Sequence, residues 1–218
     1  MGRVVVSHET PEYEIIRNLE RGGGKYNGAY YYSVEILRYF VPNIRTDRPW
    51  VTLNLKGHCS DGAIVFIHNN LYPEYYDWLS DYDDLILICG VPETCDKVKH
   101  LGKAIYLPLS VDVKEVQEYR CDKTRGKAFV GRSQKREGKY IPHGIRYLED
   151  MERQFLLQEM AKYRQVYAVG RTAIEGRILG CEILPYDKRF PDPEISKVID
   201  SMEAVDMLQM ELDKIDNR

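Results

Sequence analysis

The sequence lacks a long apolar segment and a paired cysteine pattern. No run of roughly eighteen apolar residues occurs, so a membrane-spanning helix is not predicted. The first residues, Met1 to Ser7, are too few and too rich in β-branched side chains to form the apolar centre of a signal peptide. The five cysteines are an odd, scattered set without a CxxC motif, which suits reduced thiols better than a disulfide framework. Together these absences predict a cytoplasmic protein with reduced thiols.

The sequence also has little net charge. A formal charge of -3 predicts no general attraction to nucleic acids or anionic membranes. One segment differs from the rest, because the basic stretch between Arg120 and Lys139 has only two acids, Asp122 and Glu137. Its basic residues are Arg120, Lys123, Arg125, Lys127, Arg132, Lys135, Arg136 and Lys139.

Short apolar runs rich in β-branched residues alternate with amphipathic segments, and this alternation predicts the fold class. Hydrophobic residues make up 44% of the chain, enough for a buried core. Strands that alternate with helices indicate βαβ units and a mainly parallel sheet. The predicted strands are Val4 to Val6, Val51 to Leu55, Ile64 to His68, Leu85 to Cys89, Ile105 to Leu109, Ala128 to Val130, Val166 to Val169 and Ile183 to Leu184. We therefore expect an α/β protein with two Rossmann-like lobes.

The predicted lobe boundary lies in the polar segment Ser110 to Lys127, which has no strong apolar period. This boundary assigns residues 1–112 to an N-terminal lobe and residues 113–218 to a C-terminal lobe. The second lobe is expected to be reduced, because between Arg132 and Val166 there is room for one helix and little regular sheet. A terminal helix is predicted over residues 193–216, with Pro193 in its first turn.

The clearest candidate site is a strand, tight turn and helix between Val166 and Leu184. A helix that begins at Thr172 directly after a strand directs free backbone N–H groups and its positive dipole end towards the sheet edge, where phosphates bind. Arg171 adds a guanidinium group suited to phosphate. The alternative is structural, since Thr172 and Glu175 have the spacing of a capping box, which closes a helix without a ligand.

A second candidate is the strand end Ala128 to Gly131, which is followed by cations. Arg132, Lys135 and Arg136 stand beside a glycine turn, an arrangement that suits an anion. The alternative is a solvated basic loop.

These two motifs resemble the donor-binding lobe of GT-B glycosyltransferases. In that family the pattern G/S-x-T-A-x-E-x-x-x-x-G follows a strand, and here Gly170, Thr172, Ala173, Glu175 and Gly180 fall in it. The resemblance implies that the turn amides hold the donor diphosphate and that Glu175 contacts the donor ribose. The segment Ala128-Phe-Val-Gly-Arg132 is similar to the opening strand of the same lobe.

The N-terminal half is similar to the acceptor lobe of these enzymes. The strand that ends at His68 and Asn69 resembles one that presents a histidine to the cleft, where it can donate to an oxygen or carry a proton. Gly23 and Gly24, with Tyr26 and Asn27, resemble the glycine-rich turn that faces acceptor and donor. The resemblance thus implies cleft residues at these positions, with His68 and Glu175 as the candidate catalytic residues.

The function implied by the resemblance is sugar transfer from a nucleotide-diphosphate donor, without a metal ion or other cofactor. The expected partners are a nucleotide sugar and an acceptor that is a glycan, a small molecule or modified DNA. Two alternatives stay open. One is a non-catalytic nucleotide or nucleotide-sugar binding protein, and the other is a nucleic-acid binder or DNA-modifying transferase that uses the basic stretch.

Overall fold

The chain divides into two compact units. The structure is a computed structural model and describes residues 5–6, 32, 36, 59–67, 73–131, 141–184, 186–187 and 198–216. The first unit consists of Met1–Glu20, Ala29–Leu109 and Ser201–Arg218, and the second consists of Arg21–Gly28 and Ser110–Asp200. The division therefore falls close to the predicted boundary, but it assigns the terminal helix to the first unit instead of the second.

The first unit contains a four-stranded parallel sheet in the order β1-β2-β3-β4. Its strands are β1 (Val5–Val6), β2 (Ile64–Ile67), β3 (Ile86–Cys89) and β4 (Lys103–Tyr106). Every residue of β2 and β3 is buried, as expected for uninterrupted apolar runs in a sheet that is covered on both faces. The strand predicted from Ile105 to Leu109 was placed too far along the chain, because the observed strand ends at Tyr106 and Pro108 has no N–H to donate to a neighbouring strand.

Proline begins two helices of the first unit. Pro73–Asp81 is a 3-10 helix, and α1 (Pro92–Val98) has its proline in the first turn. Tyr32 and Ile36, which the structure also describes in this unit, are helical and buried.

The second unit has a four-stranded parallel sheet and a separate parallel strand pair. The strands β6 (Arg125–Gly131), β7 (Arg146–Glu149), β8 (Tyr163–Tyr167) and β9 (Glu182–Leu184) have the order β7-β6-β8-β9. The pair consists of β5 (Ser110–Val111) and β10 (Ile199–Asp200). Both units are thus α/β with parallel strands, which confirms the predicted class.

The prediction of little regular sheet between Arg132 and Val166 was wrong in one respect. Strand β7 lies in this interval and pairs with β6 over Ala128 to Gly131. Only one of its four residues, Leu148, is buried. An edge strand with so few apolar side chains gives no clear sequence signal.

The polar segment predicted as a crossover contains regular structure. It begins with β5 and continues into α2 (Val113–Glu118). Two carboxylates bond to the first N–H groups of α2. Asp112 accepts from the Glu115 N–H at 2.8 Å, and Asp200 accepts from the Val113 N–H at 3.0 Å. A short helix with one buried residue, Val116, can therefore form here because carboxylates satisfy its N-terminal groups.

The terminal helix begins later than predicted. It is α5 (Ser201–Asp216), and the two residues before it belong to β10. Ile199 and Asp200 pair in parallel with Ser110 and Val111, so their backbone groups bond to another strand and not to a preceding helical turn. A helix that runs unbroken from Pro193 is thereby excluded. Of the helices in the described ranges, none combines the length and the apolar character that a membrane crossing requires.

Candidate functional site

The two sequence motifs meet at one edge of the second unit's sheet. Strands β6 and β8 are adjacent and parallel, with Ala128 opposite Val166 and Phe129 opposite Tyr167. Their carboxyl ends therefore lie side by side, where ligands bind in open α/β sheets. Gly131 ends β6 at this edge, and Gly170 follows shortly after β8. The structure thus brings Gly131 and Gly170 to neighbouring loops.

Gly170 makes the turn from strand to helix. It has φ 59° and ψ -140° and is the N-cap residue of α4 (Arg171–Ile178). Because side chains are strongly disfavoured at this backbone conformation, glycine is required. The Gly170 carbonyl accepts from the Ala173 N–H at 3.0 Å and from the Ile174 N–H at 3.3 Å.

The capping-box alternative is wrong. Helix α4 begins at Arg171, one residue before the predicted start, and its N-cap residue is Gly170, which has no side chain to cap the first turn. Thr172 is therefore inside the helix and cannot act as N-cap. Its backbone N–H precedes the first intrahelical hydrogen bond and so has no acceptor within the helix. Arg171, Thr172, Ala173 and Glu175 are all buried.

Glu175 belongs to a buried ionic cluster, which we define as Glu115, Arg153, Arg171 and Glu175. Arg153 is the first residue of α3 (Arg153–Met160), and its Nε lies 3.2 Å from Oε1 of Glu175. The Nη1 atom of the same guanidinium lies 2.7 Å from Oε1 of Glu115, in the first turn of α2. Arg171 approaches Oε1 of Glu175 at 3.6 Å through Nη2. The cluster joins the N-terminal parts of three helices.

Four buried oxygen atoms of the second unit have no hydrogen-bond partner among the described residues. They are Ser110 Oγ, Glu115 Oε2, Glu175 Oε2 and Tyr186 Oη. Buried polar groups are nearly always paired, so such atoms need an explanation, for example a ligand or an ordered water. Glu175 is fully buried, so bulk water does not solvate its second oxygen.

Tyr186 was not predicted from the sequence, although it lies beside Gly131. Its ring packs on Phe129 with centroids 5.1 Å apart, and a methyl group added at Gly131 would lie 3.5 Å from its hydroxyl oxygen. Burial, with a smaller contribution from the charge of Asp187, raises the pKa of Tyr186 to about 12. The sequence signal that could have identified Tyr186 as a site residue is its position just after a predicted strand.

We expect the Tyr186→Phe variant to match or exceed the wild type in free energy of unfolding, because a buried hydroxyl without a partner costs about 1–3 kcal/mol. The matched control is Tyr32→Phe, because the buried hydroxyl of Tyr32 donates to the Leu107 carbonyl at 2.6 Å. That variant should lose about 1–3 kcal/mol. Urea titration of both variants measures the difference. Equal losses in the two variants would mean that the Tyr186 hydroxyl has a partner in solution.

Three residues of the basic stretch make contacts inside the second unit. Arg120 Nε donates to the Ile178 carbonyl at 2.6 Å. Lys123 Nζ donates to the carbonyls of Ala161 and Leu179, both at 2.7 Å, and thus bonds to the C-terminal ends of two helices. Arg125 pairs with Glu159 at 2.7 Å. These three cations therefore have protein partners, while Lys127 of the same stretch is exposed.

The five cysteines are free thiols. Burial raises the pKa of Cys59 to about 11 and also raises the pKa of Cys89, Cys95 and Cys181. Because the thiolate is the reactive form, these side chains are poor nucleophiles at neutral pH. In the described ranges, no three residues of the types His, Cys, Asp and Glu form a group that could hold a metal ion.

Several predicted site residues lie outside the described residues. They are Gly23, Gly24, Tyr26, Asn27, His68, Asn69, Arg132, Lys135 and Arg136. Their assignments stay predictions from the sequence. No family model, no curated protein and no solved structure matches this chain.

Proposed function

We propose that this chain is a glycosyltransferase that moves a sugar from a nucleotide-diphosphate donor to an acceptor, with the donor bound by the second unit. The observation that carries the proposal is the position of Gly131 and Gly170 at the ends of adjacent parallel strands. One loop brings cations in the sequence, and the other leads into the N-terminus of a helix, the positive end of the helix dipole. Their convergence suits a diphosphate better than either motif alone.

The proposed mechanism is electrostatic. Negative charge develops on the diphosphate as it leaves the sugar, and fixed donors near that charge lower the barrier. The N–H groups at the start of α4 supply part of this stabilisation, and Arg132, Lys135 and Arg136 supply the rest. His68, the residue after Ile67 in the sequence, is proposed to assist the acceptor.

A thermal-shift panel of UDP, GDP, ADP and their sugars tests the donor site. A ligand at about 100 times its dissociation constant should stabilise the protein by about 2.7 kcal/mol. The Arg132→Ala variant should lose this shift and keep its unliganded melting temperature. The control is Lys127→Ala, which removes an exposed cation from β6. Absence of a shift with every nucleotide would refute the proposal.

A second candidate function is nucleotide-sugar binding without transfer. The burial of Glu175 favours it, because a fully buried carboxylate that contacts two arginines is poorly placed to exchange protons with a substrate. Incubation with the nucleotide sugar that binds most tightly separates the two functions. Release of nucleoside diphosphate, by transfer or slow hydrolysis, supports the transferase. Saturable binding without any release over a day supports the binding protein.

A further inference from the structure

The outer edge of the first sheet is open at β4. This strand is the last in the order β1-β2-β3-β4, and among the described residues its one paired neighbour is β3. The N–H groups of Lys103 and Leu107 donate to carbonyls in and just before β3, at 2.8 Å and 2.9 Å. Because backbone groups alternate in direction along a strand, the N–H and C=O groups of Ala104 and Tyr106 point away from β3. An extended segment could pair with them.

A groove follows this edge. It has a volume of about 340 Å³ and is lined by residues 103–107 and by Met207, Met210 and Glu211 of α5, and we call it the edge groove. Successive side chains of a strand point to opposite faces, so a groove lined by five consecutive residues runs along the side of the strand. Tyr106 and Met210 are 43% and 60% exposed. Exposed apolar side chains beside an unpaired strand edge favour association with another chain.

We propose that the edge groove is the interface of a homodimer, in which the β4 strands of two copies pair antiparallel about a twofold axis at Ile105. This axis places Ala104 of each copy opposite Tyr106 of the other. Each such pair exchanges both N–H···O bonds, so the outward backbone groups of β4 are satisfied. A twofold interface uses the same surface on both copies, as this pairing does.

The charges of the edge groove favour a second copy as the occupant. Its two charged side chains, Lys103 and Glu211, have opposite signs. The hydrogen bond from Lys214 lowers the pKa of Glu211, and the charge of Lys103 lowers it further, so this acid is ionised at neutral pH. The lining therefore has no excess of either sign. A surface with such an excess would repel its own copy, whereas a balanced surface does not.

The apolar side chains suit the centre of this interface. Met207 is half-buried and Met210 is exposed, and both are flexible enough to adapt to the facing surface. Methionine and tyrosine are enriched in protein interfaces. Strand β4 and helix α5 both belong to the first unit, so the inference does not depend on the donor site that we propose in the second unit.

Sedimentation velocity over a range of protein concentrations tests the inference. The wild type should convert from a species of 25.5 kDa to one of twice that mass as its concentration rises. Met210→Lys places like charges on two facing surfaces and should raise the dimer dissociation constant by about tenfold or more. The control is Phe155→Lys, which changes a similarly exposed side chain, at 58%, in the second unit and should leave the constant unchanged. Melting temperatures show whether both variants are folded.

Amide hydrogen exchange, measured above and below the dissociation constant, locates the interface. The N–H groups of Ala104 and Tyr106 should exchange more slowly in the dimer than in the monomer. The N–H groups of Lys103 and Leu107 already have carbonyl partners within the chain, so their exchange should depend less on concentration.

Three results would overturn the inference. A monomer at every concentration would leave the edge groove for another partner. A dimer that Met210→Lys and Phe155→Lys affect equally would have its interface elsewhere. A dimer in which the amides of Ala104 and Tyr106 exchange at the monomer rate would lack the proposed strand pairing.

Discussion

The Arg153→Met variant is expected to lose about 3 kcal/mol of unfolding free energy, because it removes the nearest cationic partner of a buried carboxylate and leaves only the longer contact with Arg171, at 3.6 Å. Glu175 is fully buried, and its nearest cationic atom is Nε of Arg153 at 3.2 Å. Methionine keeps most of the side-chain volume, so the lost unfolding free energy measures mainly the effect of removing the positive charge. Urea titration at neutral pH gives the value.

A matched exposed pair provides the control for this measurement. Arg125 also forms an ion pair with a glutamate of α3, at 2.7 Å, but both side chains are partly exposed to solvent. Solvent screens exposed pairs, so Arg125→Met should change stability little. If Arg153→Met were as mild as Arg125→Met, the buried ionic cluster would not exist in solution as described.

The second large effect is expected from Phe129→Ala, with a loss of about 3–5 kcal/mol. Phe129 is fully buried in β6 and packs against Tyr147 and Tyr186, with ring centroids 6.0 Å and 5.1 Å away. Its removal leaves a cavity directly under the end of the strand that leads to Gly131. The candidate edge should therefore lose both stability and its defined geometry.

Phe155→Ala is the matched control, since this phenylalanine lies on α3 and is 58% exposed. Alanine also has the higher helix propensity, so little stability should be lost. Denaturant unfolding of the two variants measures the contrast. A similar loss in both would contradict the description of Phe129 as a central core residue.

The sequence predicted β2 and β3 of the first unit well and some features of the second unit poorly. Ile64–Ile67 and Ile86–Cys89 are uninterrupted apolar runs, and such runs occur where both faces of a strand are covered. Strand β7 has one buried residue and the pair β5 and β10 has two residues in each strand. Such short strands form because a neighbouring strand offers hydrogen bonds. The local sequence does not indicate which strand that neighbour is.

In the candidate site, too, the sequence predicted some features and not others. The prediction that a helix follows a glycine turn after Val166 needed only local residues, and α4 begins within one residue of the predicted start. The partner of Glu175 could not be found in this way. The spacing of Thr172 and Glu175 is that of a capping box, yet Glu175 contacts Arg153, which lies 22 residues away in the chain.

Local sequence alone determined that the chain is α/β, that its strands are parallel and that Gly170 turns a strand into a helix, because apolar runs and glycine conformation act over a few residues. The tertiary structure decided that β6 and β8 are neighbours, that the terminal helix belongs to the first unit and that two arginines contact one oxygen of Glu175. These features depend on strand order and on contacts between distant residues, since the free energy of a buried charge depends on the groups that the whole fold places around it.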